Sequence, residues 1–147
     1  MNSETAKQMM QTQTSLNSSM NATEASALVS SFLASWQNRD IEQILEFLAK
    51  DAVYHNVPVA PIVGRDAIRG IFQAFLDTFA FASLDVITMA AAPDLVLAER
   101  MDRFVLNDGR KVELPVTGVF ELQDGKIARF SDYFDLASFE RQSGMKL

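Results

Sequence analysis

Apolar side chains in the first half of the chain recur every three or four residues, which is the spacing of amphipathic helices. The first such segment begins at Asn21, where Glu24 has the position of a capping-box partner, and its apolar stripe consists of Leu28, Val29, Phe32, Leu33 and Trp36. The second follows Asp40, with Gln43 placed to complete another capping box, and ends near Lys50. The pattern therefore predicts a helical hairpin.

A third helical stripe follows Gly64. It begins near Arg65 or Asp66, and its apolar positions are Ile68, Ile71, Phe72, Phe75, Leu76 and Phe79. Because a stripe of this kind must be buried, we expect the third helix to face a large apolar surface.

From about Ser83 the period of the apolar positions changes to two, which is typical of half-buried strands. Strands are predicted near 83–91, 95–106, 111–122 and 126–134. Asn107-Asp108-Gly109 and Asp124-Gly125 are hairpin turn sequences, because glycine adopts positive φ without steric cost. Helices followed by a meander indicate an α+β fold, in which a curved mixed, mostly antiparallel sheet packs against three to four helices and forms a cone with a deep apolar pocket.

Charged residues occupy the apolar face of the strand 95–106, which is marked by Val96, Ala98, Phe104 and Leu106. Arg100 and Asp102 alternate in phase with these residues, so both side chains are expected to point inward. Glu99 and Arg103 fall on the opposite face, where solvated charge is ordinary.

The last strand repeats this exception, because Asp132 shares one face with Ala128, Phe130, Phe134 and Leu136. The strand 111–122 has no such exception. Its inward positions are Val112, Leu114, Val116, Gly118, Phe120 and Leu122, and its outward positions include Lys111, Glu113, Thr117 and Glu121.

Two neutral polar side chains join the inward set. In the segment 52–57, alternation places Tyr54 and Asn56 on one side and His55 on the other. His55 is therefore interpreted as a structural or surface residue.

The polar set allows two interpretations. A buried carboxylate must pair or raise its pKa, so Asp102 and Asp132 are expected to share Arg100 in a carboxylate–guanidinium–carboxylate array. Such an array can be a buried ion pair that only fixes strand register. Five polar side chains converging in an aromatic and aliphatic interior favour a functional site instead.

Composition narrows the kind of site. The 147 residues are 48% hydrophobic and carry a net charge of −6, which indicates one core-forming domain and disfavours nucleic acid and anionic membranes as partners. The absence of cysteine and the single histidine exclude thiol chemistry and multi-histidine metal sites.

The sequence has no bilayer-spanning apolar run and no secretory signal pattern, so a cytoplasmic location is expected. Residues 1–20 are polar and aperiodic, which predicts a flexible N-terminal extension.

Five motifs carry a resemblance to a known family. They are Asp-Ala-Val-Tyr-His-Asn-Val-Pro at 51–58, Gly-Arg-Asp-Ala at 64–67, Glu-Arg-Met-Asp at 99–102, Gly-Val-Phe at 118–120 and Asp-Tyr-Phe-Asp-Leu at 132–136. With them the chain resembles the limonene-1,2-epoxide hydrolase family, within the fold group of ketosteroid isomerases, SnoaL-like polyketide cyclases and nuclear transport factor 2 (NTF2-like). The match runs from about Leu28 to Glu140 and implies that 21–147 is a single catalytic domain.

The resemblance implies an enzyme that hydrolyses an epoxide in one step, without a covalent intermediate and without a metal or organic cofactor. Asp132 would be the general base on a water molecule that Tyr54 and Asn56 also hold. Asp102 would be the general acid that protonates the epoxide oxygen. Arg100 would bridge the two carboxyl groups and keep one protonated and one ionised.

The substrate would lie in the apolar pocket, whose expected lining is Leu33, Trp36, Phe75, Phe79, Phe104, Leu114, Val116 and Phe134. This lining favours a hydrophobic epoxide of terpene or cycloalkene size.

Family members commonly pair through the open sheet face, so a homodimer is expected through the apolar outer positions Leu95, Leu97, Met101 and Tyr133.

Two other function classes stay open at this point. An isomerase or cyclase of the same fold would use a carboxylate to move a proton on a steroid or polyketide. Arg100 between two aspartates suits acid and base work on one substrate better. A non-catalytic ligand-binding or dimerisation module would use the cavity as a pocket alone, and the five polar groups argue against it.

Overall fold

The computed structural model describes residues 19–147. These residues form four α-helices, a short 3₁₀ turn and six β-strands. In chain order the elements are α1 (Ala22–Ser35), the 3₁₀ turn (Trp36–Asn38), α2 (Ile41–Glu46), β1 (Leu48–Asn56), β2 (Ile62–Val63), α3 (Arg65–Thr78), β3 (Phe79–Ala92), β4 (Leu95–Leu106), β5 (Lys111–Gln123), β6 (Lys126–Tyr133) and α4 (Leu136–Ser143).

All six strands belong to one sheet, in the order β2-β1-β6-β5-β4-β3. Strands β3 to β6 form an antiparallel meander, whereas β1 pairs in parallel with β6. Positive φ angles at Gly109, Asp124 and Gly125 confirm the two predicted hairpin turns. The predicted α+β fold with a mixed, mostly antiparallel sheet is therefore confirmed.

The main core lies between the helices and one face of the sheet. Helix α1 packs on β3 and β4, and α3 packs on β1 and α2. The ring of Phe32 meets Phe120 and Phe130 edge-on, with centroids 6.2 and 5.4 Å away. Phe120 and Phe130 stack on each other at 4.7 Å. These aromatic contacts fix α1 over the middle of the sheet.

The predicted start of the first helix is confirmed in detail. Asn21 Oδ1 accepts a hydrogen bond from the Glu24 backbone N–H at 2.8 Å, and the Glu24 carboxylate accepts one from the Asn21 N–H. The third helix also begins where it was predicted, after Gly64, whose φ of 94° few other residues adopt.

The second helix is shorter than predicted. It ends at Glu46 rather than near Lys50, because the strand β1 already begins at Leu48 and pairs with β6. The predicted capping box is also wrong. Asp40 caps the N–H groups of Glu42 and Gln43 as expected, but the Gln43 side chain accepts a hydrogen bond from Asn38 instead.

Three features in and around the strands differ from the predictions. Strand β3 begins at Phe79, four residues early, so Phe79 is a strand residue rather than the end of a helical stripe. In β6, Ala128 is an extra residue opposite the Glu121–Leu122 step, and this bulge buries Ile127 where alternation predicted Ala128. Leu136 begins α4, a helix that the sequence reasoning missed.

The predicted N-terminal extension lies mostly outside the described residues. At its end, the Met20 N–H donates to Asp94 Oδ1 at 2.8 Å, and the Met20 carbonyl accepts from the Asp94 N–H at 3.1 Å. Met20 is therefore attached to the turn between β3 and β4.

Within 19–147, none of the helices is long and apolar enough to cross a bilayer.

Candidate active site

Strand alternation points three charged side chains into the interior, where they lie next to one another. Arg100 and Asp102 point inward from β4, as predicted, and only 1% and 4% of their surfaces are exposed. Asp132, which is 6% exposed, points inward from β6. Strand β5 separates them, and its residue Gly118 is opposite Asp132 on one side and Ala98 on the other.

The Arg100 guanidinium binds both carboxylates through paired hydrogen bonds. Its Nε donates to Asp102 Oδ1 at 2.9 Å and its Nη2 to Asp102 Oδ2 at 2.8 Å. Its Nη1 and Nη2 donate to Asp132 Oδ1 and Oδ2, both at 3.0 Å. The expected carboxylate–guanidinium–carboxylate array is thus present, with Arg100 in the middle.

The charges of this array do not balance when both carboxyls are ionised. One guanidinium between two carboxylates leaves a net negative charge in a dry interior, and one bound proton removes it. Burial raises the pKa of the Asp102 carboxyl, although the hydrogen bonds and charge of Arg100 oppose the rise. Burial acts to lower the pKa of Arg100, but the charge of Asp132 and the contacts with Asp102 outweigh it and raise that pKa, so Arg100 stays charged.

Strand β1 adds the two neutral polar groups. Its parallel pairing with β6 sets Asn56 beside Asp132, and the Val57 N–H donates to the Asp132 carbonyl at 2.9 Å. The Tyr54 hydroxyl donates to Asn56 Oδ1 at 2.8 Å. Burial and the charge of Asp132 raise the pKa of the Tyr54 phenol, so it keeps the proton that it donates.

His55 lies on the opposite side of β1 from these groups. Its Nε2 is hydrogen-bonded to the Val59 carbonyl at 2.8 Å, and the side chain is half-buried. His55 therefore supports the loop after β1 and is not among the cavity residues.

The five polar side chains border one apolar cavity. About 70 Å³ of it is open to the centres of water molecules. Since one water needs roughly 10–15 Å³ of such space, the cavity has room for several water molecules or for a small organic molecule. The charged side chains among its described lining are Arg100, Asp102 and Asp132.

Seven of the eight residues expected to line the pocket do so: Trp36, Phe75, Phe79, Phe104, Leu114, Val116 and Phe134. Leu33 does not line it. Its side chain is 1% exposed and belongs to the core between α1 and the sheet, because the helical stripe is wider than the part that faces the cavity.

Further lining residues were missed by the sequence reasoning: Leu76, Ala82, Leu84, Phe130, Phe139 and Leu147. Ala82 and Leu84 follow the early start of β3, and Phe139 lies on α4. Asp135 was the available signal for α4, since its side chain caps that helix by accepting from the Ser138 N–H at 3.0 Å.

Among the described residues, Trp36 Nε1 is a buried side-chain donor without a hydrogen-bond partner.

Sequence comparison relates the chain to known proteins. The family model described as the limonene-1,2-epoxide hydrolase catalytic domain matches residues 23–143. Epoxide hydrolase EphG of Mycobacterium tuberculosis is 33% identical over 108 residues, which are 74% of this chain and 71% of that protein.

Solved structures give the same result. An epoxide hydrolase of this type from M. tuberculosis matches with a TM-score of 0.74 and 30% identity, over 83% of this chain and 90% of the other. An NTF2-like protein of unknown function from Burkholderia pseudomallei matches with a TM-score of 0.74 over 83% and 98% of the two chains, and at 19% identity it shows the fold alone. The chain therefore belongs to the limonene-1,2-epoxide hydrolase family and has the NTF2-like fold.

Proposed function

We propose that this protein hydrolyses a small hydrophobic epoxide, of the terpene or cycloalkene type, to a vicinal diol by one-step general acid and base catalysis. The observation that carries the proposal is the buried array in which Arg100 binds both Asp102 and Asp132 at the wall of an apolar cavity. Acid and base therefore line the same cavity, within reach of one molecule bound there.

Asp132 is the proposed base. Its neighbour Asn56 and the Tyr54 hydroxyl provide further hydrogen-bonding atoms beside its carboxylate. A water molecule bonded to these three groups would have one lone pair left to attack an epoxide carbon. Because Tyr54 holds its proton, it orients this water and takes no part as a base.

Asp102 is the proposed acid. Its raised pKa favours the protonated form, and a single proton on the array makes it neutral. Transfer of that proton to the epoxide oxygen lets the ring open to an alcohol instead of an alkoxide, while Asp132 takes a proton from the attacking water. The array then again holds one proton, although at the other carboxyl, and Arg100 contacts both sites.

The apolar lining supports the substrate class. The cavity wall is mainly aliphatic and aromatic, including Phe104, Leu114 and Val116. A hydrocarbon ring gains free energy by entering such a site, at roughly 25 cal/mol for each Å² removed from water. Among the side chains of the described lining, a charged epoxide would find a charged partner only in the array itself.

Diol formation from limonene oxide, cyclohexene oxide and a charged epoxide tests this function. We expect turnover of the hydrophobic epoxides, and in a single turnover with excess protein in H₂¹⁸O the label enters the diol at once. An unlabelled first diol would mean that a protein carboxylate had attacked the epoxide. The absence of turnover on every epoxide would remove the proposal and favour the isomerase or binding functions.

The same assay across pH tests the acid. Asp102 must be protonated to act, so the rate should fall as pH rises through its raised pKa. A rate that increases steadily with pH would contradict a carboxylic acid in this role.

The outer face of the sheet supports a homodimer. Leu97 and Tyr133 are 43% and 51% exposed there, and Leu95 and Met101 are half-buried. We expect Leu97→Glu to give the monomer mass in light scattering and the native chain to give twice that mass, because a charge in an apolar interface is costly. A native monomer at micromolar concentration would contradict this arrangement.

A further inference from the structure

Gly118 lies in the interior of β5, at a position where glycine is unusual. Its φ is not in the left-handed region, so no turn or backbone strain requires it. Glycine within a strand is destabilising relative to alanine, because it loses more backbone entropy and packs no side chain. Close approach of another group is the remaining ordinary reason for it.

Such a close approach is present. A Cβ atom added to Gly118 would lie 2.5 Å from Arg100 Nη1, 2.8 Å from Asp132 Oδ1 and 2.9 Å from Phe120 Cε2. The first two atoms are the donor and acceptor of one hydrogen bond, which is 3.0 Å long. The space beside Gly118 is therefore the space in which Arg100 meets Asp132.

The neighbours of Gly118 have little freedom to move away. Arg100 is buried and held by hydrogen bonds to both Asp102 and Asp132. Phe120 is stacked on Phe130 at 4.7 Å and is fully buried. A new methyl group would have to displace the guanidinium, the carboxylate or the stacked ring.

We propose that Gly118 is a positioning residue of the active site, whose missing side chain leaves the room for Arg100 to bridge Asp132 and Asp102. This inference rests on the proposed function for its effect on turnover. Its geometric part, that Gly118 controls the Arg100–Asp132 contact, holds for any use of the array.

Gly118→Ala is the test, and Gly70→Ala is its matched control. Gly70 lies on α3, and an added Cβ there meets nothing within 4 Å. We expect Gly118→Ala to lower kcat by about 10²-fold, with little change in KM, because the carboxyls shift relative to each other while the cavity wall stays. The pH profile should also shift, because the position of the guanidinium determines how the two coupled carboxyls titrate. Gly70→Ala should leave all three quantities unchanged.

An activity-independent measurement separates this inference from the proposed function. Carboxyl ¹³C titration of the native protein and both variants reports the array whether or not any epoxide is turned over. A titration that moves in Gly118→Ala and not in Gly70→Ala supports the positioning role. Unchanged titration and unchanged kcat in a folded Gly118→Ala protein would overturn it.

Arg100→Lys covers the case in which Gly118→Ala does not fold. Lysine lacks the Nη1 atom that the added Cβ would meet. We expect Gly118→Ala to lower the free energy of unfolding by less when Arg100→Lys is also present than when Arg100 is native. Equal destabilisation in both backgrounds, or failure to fold in both, would mean that the added Cβ does not act chiefly on the guanidinium and would overturn the inference.

Discussion

Asp132→Asn is expected to lower kcat for diol formation by about 10²- to 10⁴-fold, which is the usual contribution of a general base. Asparagine has nearly the same shape and still accepts a hydrogen bond from Arg100 through its carbonyl oxygen. It cannot take a proton from the attacking water at neutral pH. Steady-state rates at saturating substrate, with circular dichroism to verify folding, measure the effect.

The control for this substitution is Asp124→Asn in the turn that precedes β6. Asp124 is exposed and has a φ of 51°, which asparagine also adopts readily. Asp124→Asn should keep the native rate. A loss of rate confined to Asp132→Asn would then be due to the position of Asp132 in the site, and not to replacing an aspartate by asparagine in general. Full activity of folded Asp132→Asn would assign the base to another group.

Arg100→Met is expected to destabilise the fold by about 3–5 kcal/mol, because it leaves two buried carboxyls without their counter-charge. The sign of the pH dependence follows from Asp102. Its folded-state pKa is raised, so its contribution to stability is present below the unfolded pKa of about 3.9 and is lost as pH rises through the folded value. The deficit of Arg100→Met should therefore be larger at neutral than at acidic pH. Urea unfolding at the two pH values measures it.

Arg103→Met provides the comparison on the same strand. Arg103 points to the outer face and pairs with Asp85 and Glu113, and the three side chains are 44–68% exposed. Exposed pairs of this kind contribute about 0–1 kcal/mol. Similar losses for Arg103→Met and Arg100→Met would mean that burial of the array has no energetic consequence.

The charged part of the site was predictable because strand alternation has a period of two. Any side chain two residues from a buried one on the same regular strand must face the same way. Val96 and Ala98 thus located Arg100 and Asp102, and Phe130 located Asp132. The roles of these residues came from the resemblance to the family and remain proposals.

Other parts of the fold do not follow from the pattern of apolar positions. Alternation fails at a bulge, so Ala128 was placed inward although Ile127 is the buried residue. Periodicity also says nothing about which strands become neighbours, so it does not predict that β1 pairs with β6. The stripe that contains Leu33 is continuous with pocket residues, and only the three-dimensional packing separates them.

The parallel pairing of β1 with β6 also affects how the protein folds. The strands β3 to β6 are connected by tight turns, so Arg100, Asp102 and Asp132 can meet through local hairpin formation. Asn56 and Tyr54 reach Asp132 only when the two ends of the domain are joined, which carries a larger loop-closure entropy. We therefore expect the charged array to form before Asn56 and Tyr54 reach Asp132 during folding, so that the complete polar site is the last part of the domain to form.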